Sequence, residues 1–158
     1  MTSSQANANA YLRTQVMSAS PEQLRMMLID GALKFAIQGR DGLATQNHEQ
    51  SYEGLSQCRA ILTELMTSMK PEEAPELCER VRSLYAYMFQ ELVAAGMNND
   101  VSKVDGVIEL LKFEQQTWRM LLDQLHEERQ SSTATAPMPG ASTPNVPGAG
   151  YSPLSIEG

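Results

Sequence analysis

The 158-residue chain has two cysteines, one tryptophan, three phenylalanines and five tyrosines, and each scarcity removes a class of protein. Cys58 and Cys78 do not make a disulfide framework, and without an export signal they read as two buried reduced thiols. Basic residues are few: 12 Lys+Arg against 19 Asp+Glu give a formal charge of -7. None of them cluster, so the footprint needed to neutralise nucleic-acid phosphates is missing. No apolar run approaches the roughly 20 residues of a membrane span. The first sixteen residues carry one basic residue, Arg13, and no apolar core of a secretory signal. The expected setting is cytoplasmic, with no nucleic acid and no membrane insertion.

Catalytic signatures are equally sparse. There is no Gly-x-Ser-x-Gly elbow, no phosphate-binding glycine loop, and no cysteine with an evident histidine partner. Of the two histidines, His126 follows Asp123 at the i, i+3 spacing of a bundle metal ligand, but His48 has no matching carboxylate pattern. No cofactor and no metal are expected. A histidine phosphotransfer bundle, the alternative with real chemistry, needs an exposed mid-helix His with small or basic neighbours. His126 is followed by Glu127 and Glu128, whose charge repels phosphate.

The chain is one domain in length, enough to bury about 70 % of its unfolded surface. Composition shifts at Ser131, after which 28 residues hold 5 Pro, 4 Gly and 8 Ser+Thr with Glu157 as the sole charge. Residues 131–158 are therefore expected to be a disordered tail, with Tyr151, Leu154 and Ile156 as a short docking motif at most. Residues 1–19 are expected to be a flexible N-terminal segment, partly covering the domain formed by residues 20–130.

Within residues 20–130 the apolar spacing is helical throughout, which makes the fold class all-α. Ser20 as N-cap, Pro21 at the first helical position and Gln23 closing a capping box start the first helix. A second helix runs from about Glu49 to Met69, a third from about Pro75 to Ala95 with a stop at Gly96, Asn98 and Asn99, and a fourth from the Asp100 cap to near Gln130. Short connections make neighbours antiparallel, so the expected architecture is an up-down four-helix bundle.

The first helix is apolar over too wide an arc for one core face. Leu24, Met27, Leu28, Phe35 and Leu43 form one stripe, and Met26, Ile29, Leu33 and Ile37 a second. If each bundle helix buries one stripe, the second needs cover. Two candidates are available: the chain's own Tyr11, Leu12, Val16 and Met17, or an amphipathic segment of another protein. Ten methionines suit a surface that accepts varied apolar partners. Mid-helix Gly31 points to the close approach of another backbone, and Asp30 to a partner inside the chain or on another protein. A structural homodimer burying the spare stripe against itself is a further alternative, and the chain is expected to be a monomer or weak homodimer.

Three stretches carry a resemblance: Tyr11-Leu12-Arg13-Thr14-Gln15-Val16, Ser18-Ala19-Ser20-Pro21-Glu22-Gln23-Leu24, and Met27-Leu28-Ile29-Asp30-Gly31-Ala32-Leu33-Lys34-Phe35. Together they resemble the N-terminal signature of the FliS family of flagellar secretion chaperones. The similarity continues more weakly through Glu64-Leu65-Met66, Leu84-Tyr85-Ala86-Tyr87-Met88 and Trp118, covering about residues 11 to 125. It implies a non-enzymatic cytosolic four-helix chaperone that binds the disordered C-terminal segment of flagellin in apolar grooves, prevents early polymerisation and delivers the subunit to the flagellar export apparatus. It also implies that the N-terminal segment lies over part of that surface. Ile29 stands where the family usually has Tyr, which removes a polar handle while keeping apolar bulk.

Overall fold

The computed structural model describes residues 3–134. Among them are five helices and no strand: α1 (Ser3–Ser18), α2 (Pro21–Ala44), α3 (His48–Thr67), α4 (Pro75–Asn98) and α5 (Val101–Ala134). The all-α reading holds, with three changes to the elements.

First, the N-terminal segment, expected to be flexible, contains the helix α1. Between Ser3 and Ser18 there is neither Gly nor Pro, and Ala6, Ala8 and Ala10 favour helix. The Thr14 and Ser18 hydroxyls donate to the Ala10 and Thr14 carbonyls, at 3.0 and 2.9 Å, so these residues do not compete with the ladder. Second, Gly96 does not stop α4. The helix runs to Asn98, and Asn99 takes the left-handed conformation (φ 56°) that ends it, a conformation Asn tolerates better than most residues. Third, α5 continues four residues past Gln130. Ser131 Oγ and Thr133 Oγ1 donate back to the Glu128 and Gln130 carbonyls, so residues 131–134, expected in the tail, are helical. The remaining tail, with Tyr151, Leu154 and Ile156, lies outside the described residues.

The start of α2 follows its signals. Gln23 N–H donates to Ser20 Oγ, and Ser20 N–H donates to Gln23 Oε1, so two otherwise unpaired amides are satisfied reciprocally. From there α2 runs beside α3 in an antiparallel hairpin closed by Thr45, Gln46 and the N-cap Asn47. The backbones meet where both helices have small residues. A methyl group on Gly54 would stand 2.6 Å from Gly39 Cα and 2.7 Å from Phe35 O, and one on Gly42 would stand 2.7 Å from Ser51 Cα. Gly31, expected at such a contact, instead faces the Ile61 side chain at 3.3 Å. The backbone approach is at Gly39, Gly42 and Gly54.

Helices α4 and α5 complete the core. Lys103 Nζ meets Glu91 Oε2 at 3.4 Å, and Tyr85 Oη donates to Glu114 Oε2 at 2.9 Å, which sets α4 and α5 antiparallel. Against α2, Arg40 Nε donates to Asp105 Oδ1 (2.6 Å), Gln115 Nε2 to Asp30 Oδ1 (2.6 Å) and Trp118 Nε1 to the Glu22 carbonyl (2.8 Å). As α2 numbers rise, α5 numbers fall, so this pair is antiparallel too. Asp30 has its partner within the chain. The fully buried side chains Ile29, Leu62, Leu65, Tyr85, Met88, Leu92, Val104, Val107 and Leu111 come from all four of these helices, and α1 supplies none. Each large aliphatic side chain so buried contributes about 1.5–3 kcal/mol.

Candidate functional site

The two stripes of α2 do not divide into one buried and one free. The inward line is Met26, Ile29, Ala32, Ala36, Gly39 and Leu43. Met26 is 8 % exposed and Ile29 is fully enclosed, Leu33 is half-buried against the core, and Ile37 is 40 % exposed. The four proposed groove residues are thus not one surface. Leu28 and Phe35, from the other stripe, also pack against the core. Three helices surround α2, through Gly39 to α3, Arg25 to α4 and Arg40 to α5. A helix with three neighbours uses a wider apolar arc than one stripe, and that is why α2 reads as it does.

The proposed cover sits in water. Tyr11, Leu12, Val16 and Met17 are all exposed, Met17 at 82 %. Only the end of α1 approaches α2: Gln15, Ser18 and Ala19 line an open cleft of about 400 Å³ with Gln23, Met26, Met27 and Leu122.

Large apolar side chains also stand exposed on α3, α4 and α5, Tyr52 on α3 among them. Leu77 and Tyr87 on α4 and Phe113 and Met120 on α5 are all exposed, Phe113 at 68 %. The ties from Tyr85 to Glu114 and from Glu91 to Lys103 run α4 antiparallel to α5, so Leu77 and Met120 fall toward one end of the pair and Tyr87 toward the other. At the Tyr87 end, Tyr87, Gly106, Val107 and Leu110 floor a cleft of about 280 Å³ whose mouth is Glu91, Asp100, Ser102 and Lys103. A methyl group on Gly106 would meet nothing within 4 Å, so the notch is open to solvent. Phe113 and Met120, seven residues apart, were the legible signal of this second stripe on α5.

Beneath these surfaces lie a buried phenol and a buried thiol. Tyr85 has its phenol pushed up to about 12, mainly by burial. Cys58 is enclosed, and burial pushes its thiol up to about 12 as well. Cys78 departs from the expectation of burial: it is half-buried, and its thiol donates to the Lys70 carbonyl at 3.4 Å across the α3–α4 turn. His126 Nε2 sits 3.0 Å from Gln130 Nε2 on an exposed turn. Among the described residues no three His, Cys, Asp or Glu side chains converge to hold a metal ion, and no helix is long and apolar enough to cross a membrane.

The family profile described as "Flagellar protein FliS" matches residues 3–125. The chain belongs to the FliS family. It is 36 % identical over 118 residues to the flagellar secretion chaperone FliS of Escherichia coli K12, covering 73 % of this chain and 85 % of that one. It is 31 % identical over 117 residues to the flagellar secretion chaperone FliS of Salmonella typhimurium LT2, covering 73 % and 87 %. The fold is that of a solved structure titled "Crystal structure of flagellar chaperone from bacteria", with a TM-score of 0.62 at 16 % identity over 75 % of this chain and 98 % of the other. The match of this FliS-family chain begins at Ser3 and so includes α1, and it ends at Leu125, nine residues before α5 does.

Proposed function

We propose that this chain is a cytoplasmic flagellar export chaperone without catalytic activity, which binds the disordered C-terminal segment of flagellin, prevents its premature polymerisation and passes it to the export apparatus. In this reading α2 to α5 are the antiparallel four-helix bundle, and α1 is a movable element beside it. The observation that carries the proposal is the exposure of Leu77 and Tyr87 on α4 and of Phe113 and Met120 on α5, large apolar side chains standing in water on a member of this family. Such side chains fit an amphipathic helix laid along the α4–α5 pair. A client that is disordered when free orders itself on such a surface and buries apolar area as it does so.

Leu33 and Ile37 are further client contacts along the α2–α5 side. Met26 and Ile29 belong to the client surface only when the start of α2 lifts, and Tyr11, Leu12, Val16 and Met17 serve as cover or as added contact. Loss of the hydroxyl at Ile29 matters little in the closed state, because the side chain is packed in the core. The chain acts as a monomer in a one-to-one complex.

Two substitutions map the surface. Phe113→Asp should abolish capture of the flagellin C-terminal segment while leaving helicity intact, because the side chain is exposed. Ile37→Asp should weaken it. If Phe113→Asp binds as tightly as the native chain, the α4–α5 pair is not the client surface.

A further inference from the structure

Arg25 is held in an unusual way for a surface-length cation. Its guanidinium lies 5.7 Å from the centre of the Tyr85 ring and 5.3 Å from that of Trp118, and Nη2–H donates to Tyr85 Oη at 3.0 Å. No carboxylate among the described residues lies within ion-pair distance of it. Two aromatic faces and a phenol oxygen do the work that a carboxylate usually does. The Trp118 indole N–H in turn donates to the carbonyl of Glu22, in the first turn of α2. Side chains from α4 and α5 thereby hold the start of α2, whose next residues include Met26 and the enclosed Ile29.

The grip is built to release. The first turn of α2 keeps its own capping box, since Ser20 and Gln23 satisfy each other and need nothing from α4 or α5. If Arg25 leaves, the Tyr85 hydroxyl still donates to Glu114, so the core keeps its buried phenol paired. Arg25 and Trp118 are half-buried and regain water on opening. An open cleft lined by Ala19, Met26, Met27 and Leu122 also borders this turn. Lifting the turn therefore orphans no buried polar group.

We propose that Arg25 is a positioning residue that holds the first turns of α2, with Met26 and Ile29 on their inner side, against α4 and α5, so that release of its cation from Tyr85 and Trp118 sets how often the apolar floor under α2 is open. This rests on the chaperone proposal for its role in client binding, but the closure itself is a property of the free chain.

The test is hydrogen exchange on the full chain, read peptide by peptide, beside Trp118 fluorescence. Arg25→Met keeps the stem and removes the cation, and should speed exchange of the amides of residues 24–28 about tenfold or more. It should also shift Trp118 emission to the red, with the amides of α3 and α4 unchanged. Arg25→Lys, which restores a cation to the cage, should recover part of the protection. Trp118→Phe keeps a ring but loses the bond to Glu22, and should speed the same amides to a smaller degree. Unchanged exchange at residues 24–28 in Arg25→Met, or equal acceleration throughout α2 to α5, would overturn the proposal. With the flagellin C-terminal segment added, Arg25→Met should associate faster than the native chain, because the open state is more populated. Local acceleration in the free variant with no binding by either chain would leave the closure standing and reject the client.

Discussion

The sharpest consequence of the packing concerns two glycines with opposite surroundings. Replacing Gly54 by Ala places a methyl group 2.6 Å from Gly39 Cα and 2.7 Å from Phe35 O, against backbone atoms of α2 that no rotamer change can move aside. Ordinary contact needs about 3.4 Å or more, so α2 and α3 must separate by nearly an ångström, loosening Leu55, Cys58 and Leu62 behind the contact. Overpacking of this kind costs about 1–3 kcal/mol, and at a backbone contact the upper end applies. The better helix propensity of Ala returns about 1 kcal/mol. A net loss of about 1–2 kcal/mol lowers the Tm of a chain this size by roughly 2–8 °C. Gly106→Ala gives the opposite sign. Its methyl group meets nothing within 4 Å, so only the propensity gain of about 0.5–1 kcal/mol remains and Tm should rise by a few degrees. Thermal unfolding followed by circular dichroism on both variants decides it. A Gly54→Ala protein as stable as the native chain would refute the close packing of α2 on α3.

Two further outcomes follow from the same core. In the native chain a thiol reagent should modify Cys78 and spare Cys58 until the protein unfolds, because Cys58 is enclosed and its thiol is pushed up to about 12; equal rates for both would contradict that burial. Tyr85 and Cys58 both hold their protons more tightly folded than unfolded, so the unfolded chain ionises first as pH rises. Stability should be flat below about pH 8.5 and fall from there through pH 12, by no more than about 1.4 kcal/mol per pH unit for each group. Urea midpoints at pH 7.5 and 10.5 test this, and a higher midpoint at pH 10.5 would reverse the sign.

Much of the helical frame was legible because its punctuation is chemical. Ser20, Pro21 and Gln23 start α2, Pro75 starts α4, and Asp100 pairs with Ser102 at the start of α5. What misled was punctuation without context. Gly96 reads as a stop, yet α4 carries it because Asn99 supplies the left-handed turn three residues on. The polar N-terminal segment reads as flexible, yet nothing from Ser3 to Ser18 breaks a helix. The candidate site was harder to read. Spacing alone shows that α2 has two apolar stripes and says nothing of how many neighbours it has, so Met26 and Ile29 looked spare while being core. Phe113 and Met120 were visible as residues, but their exposure depends on which face of α5 meets α4, and that is a tertiary fact. The aromatic cage of Arg25 joins residues 60 and 93 positions away from it and has no local signature.

The central claim is that exposed apolar surface on this FliS-family chain exists to capture a flagellin tail. Calorimetric titration of the native chain with the C-terminal segment of flagellin from the same organism, repeated at several temperatures, tests it most directly. The expected result is saturable one-to-one binding with a negative heat-capacity change, as a disordered segment folds onto apolar surface. No saturable heat at any temperature, or binding whose heat capacity does not change, would contradict it.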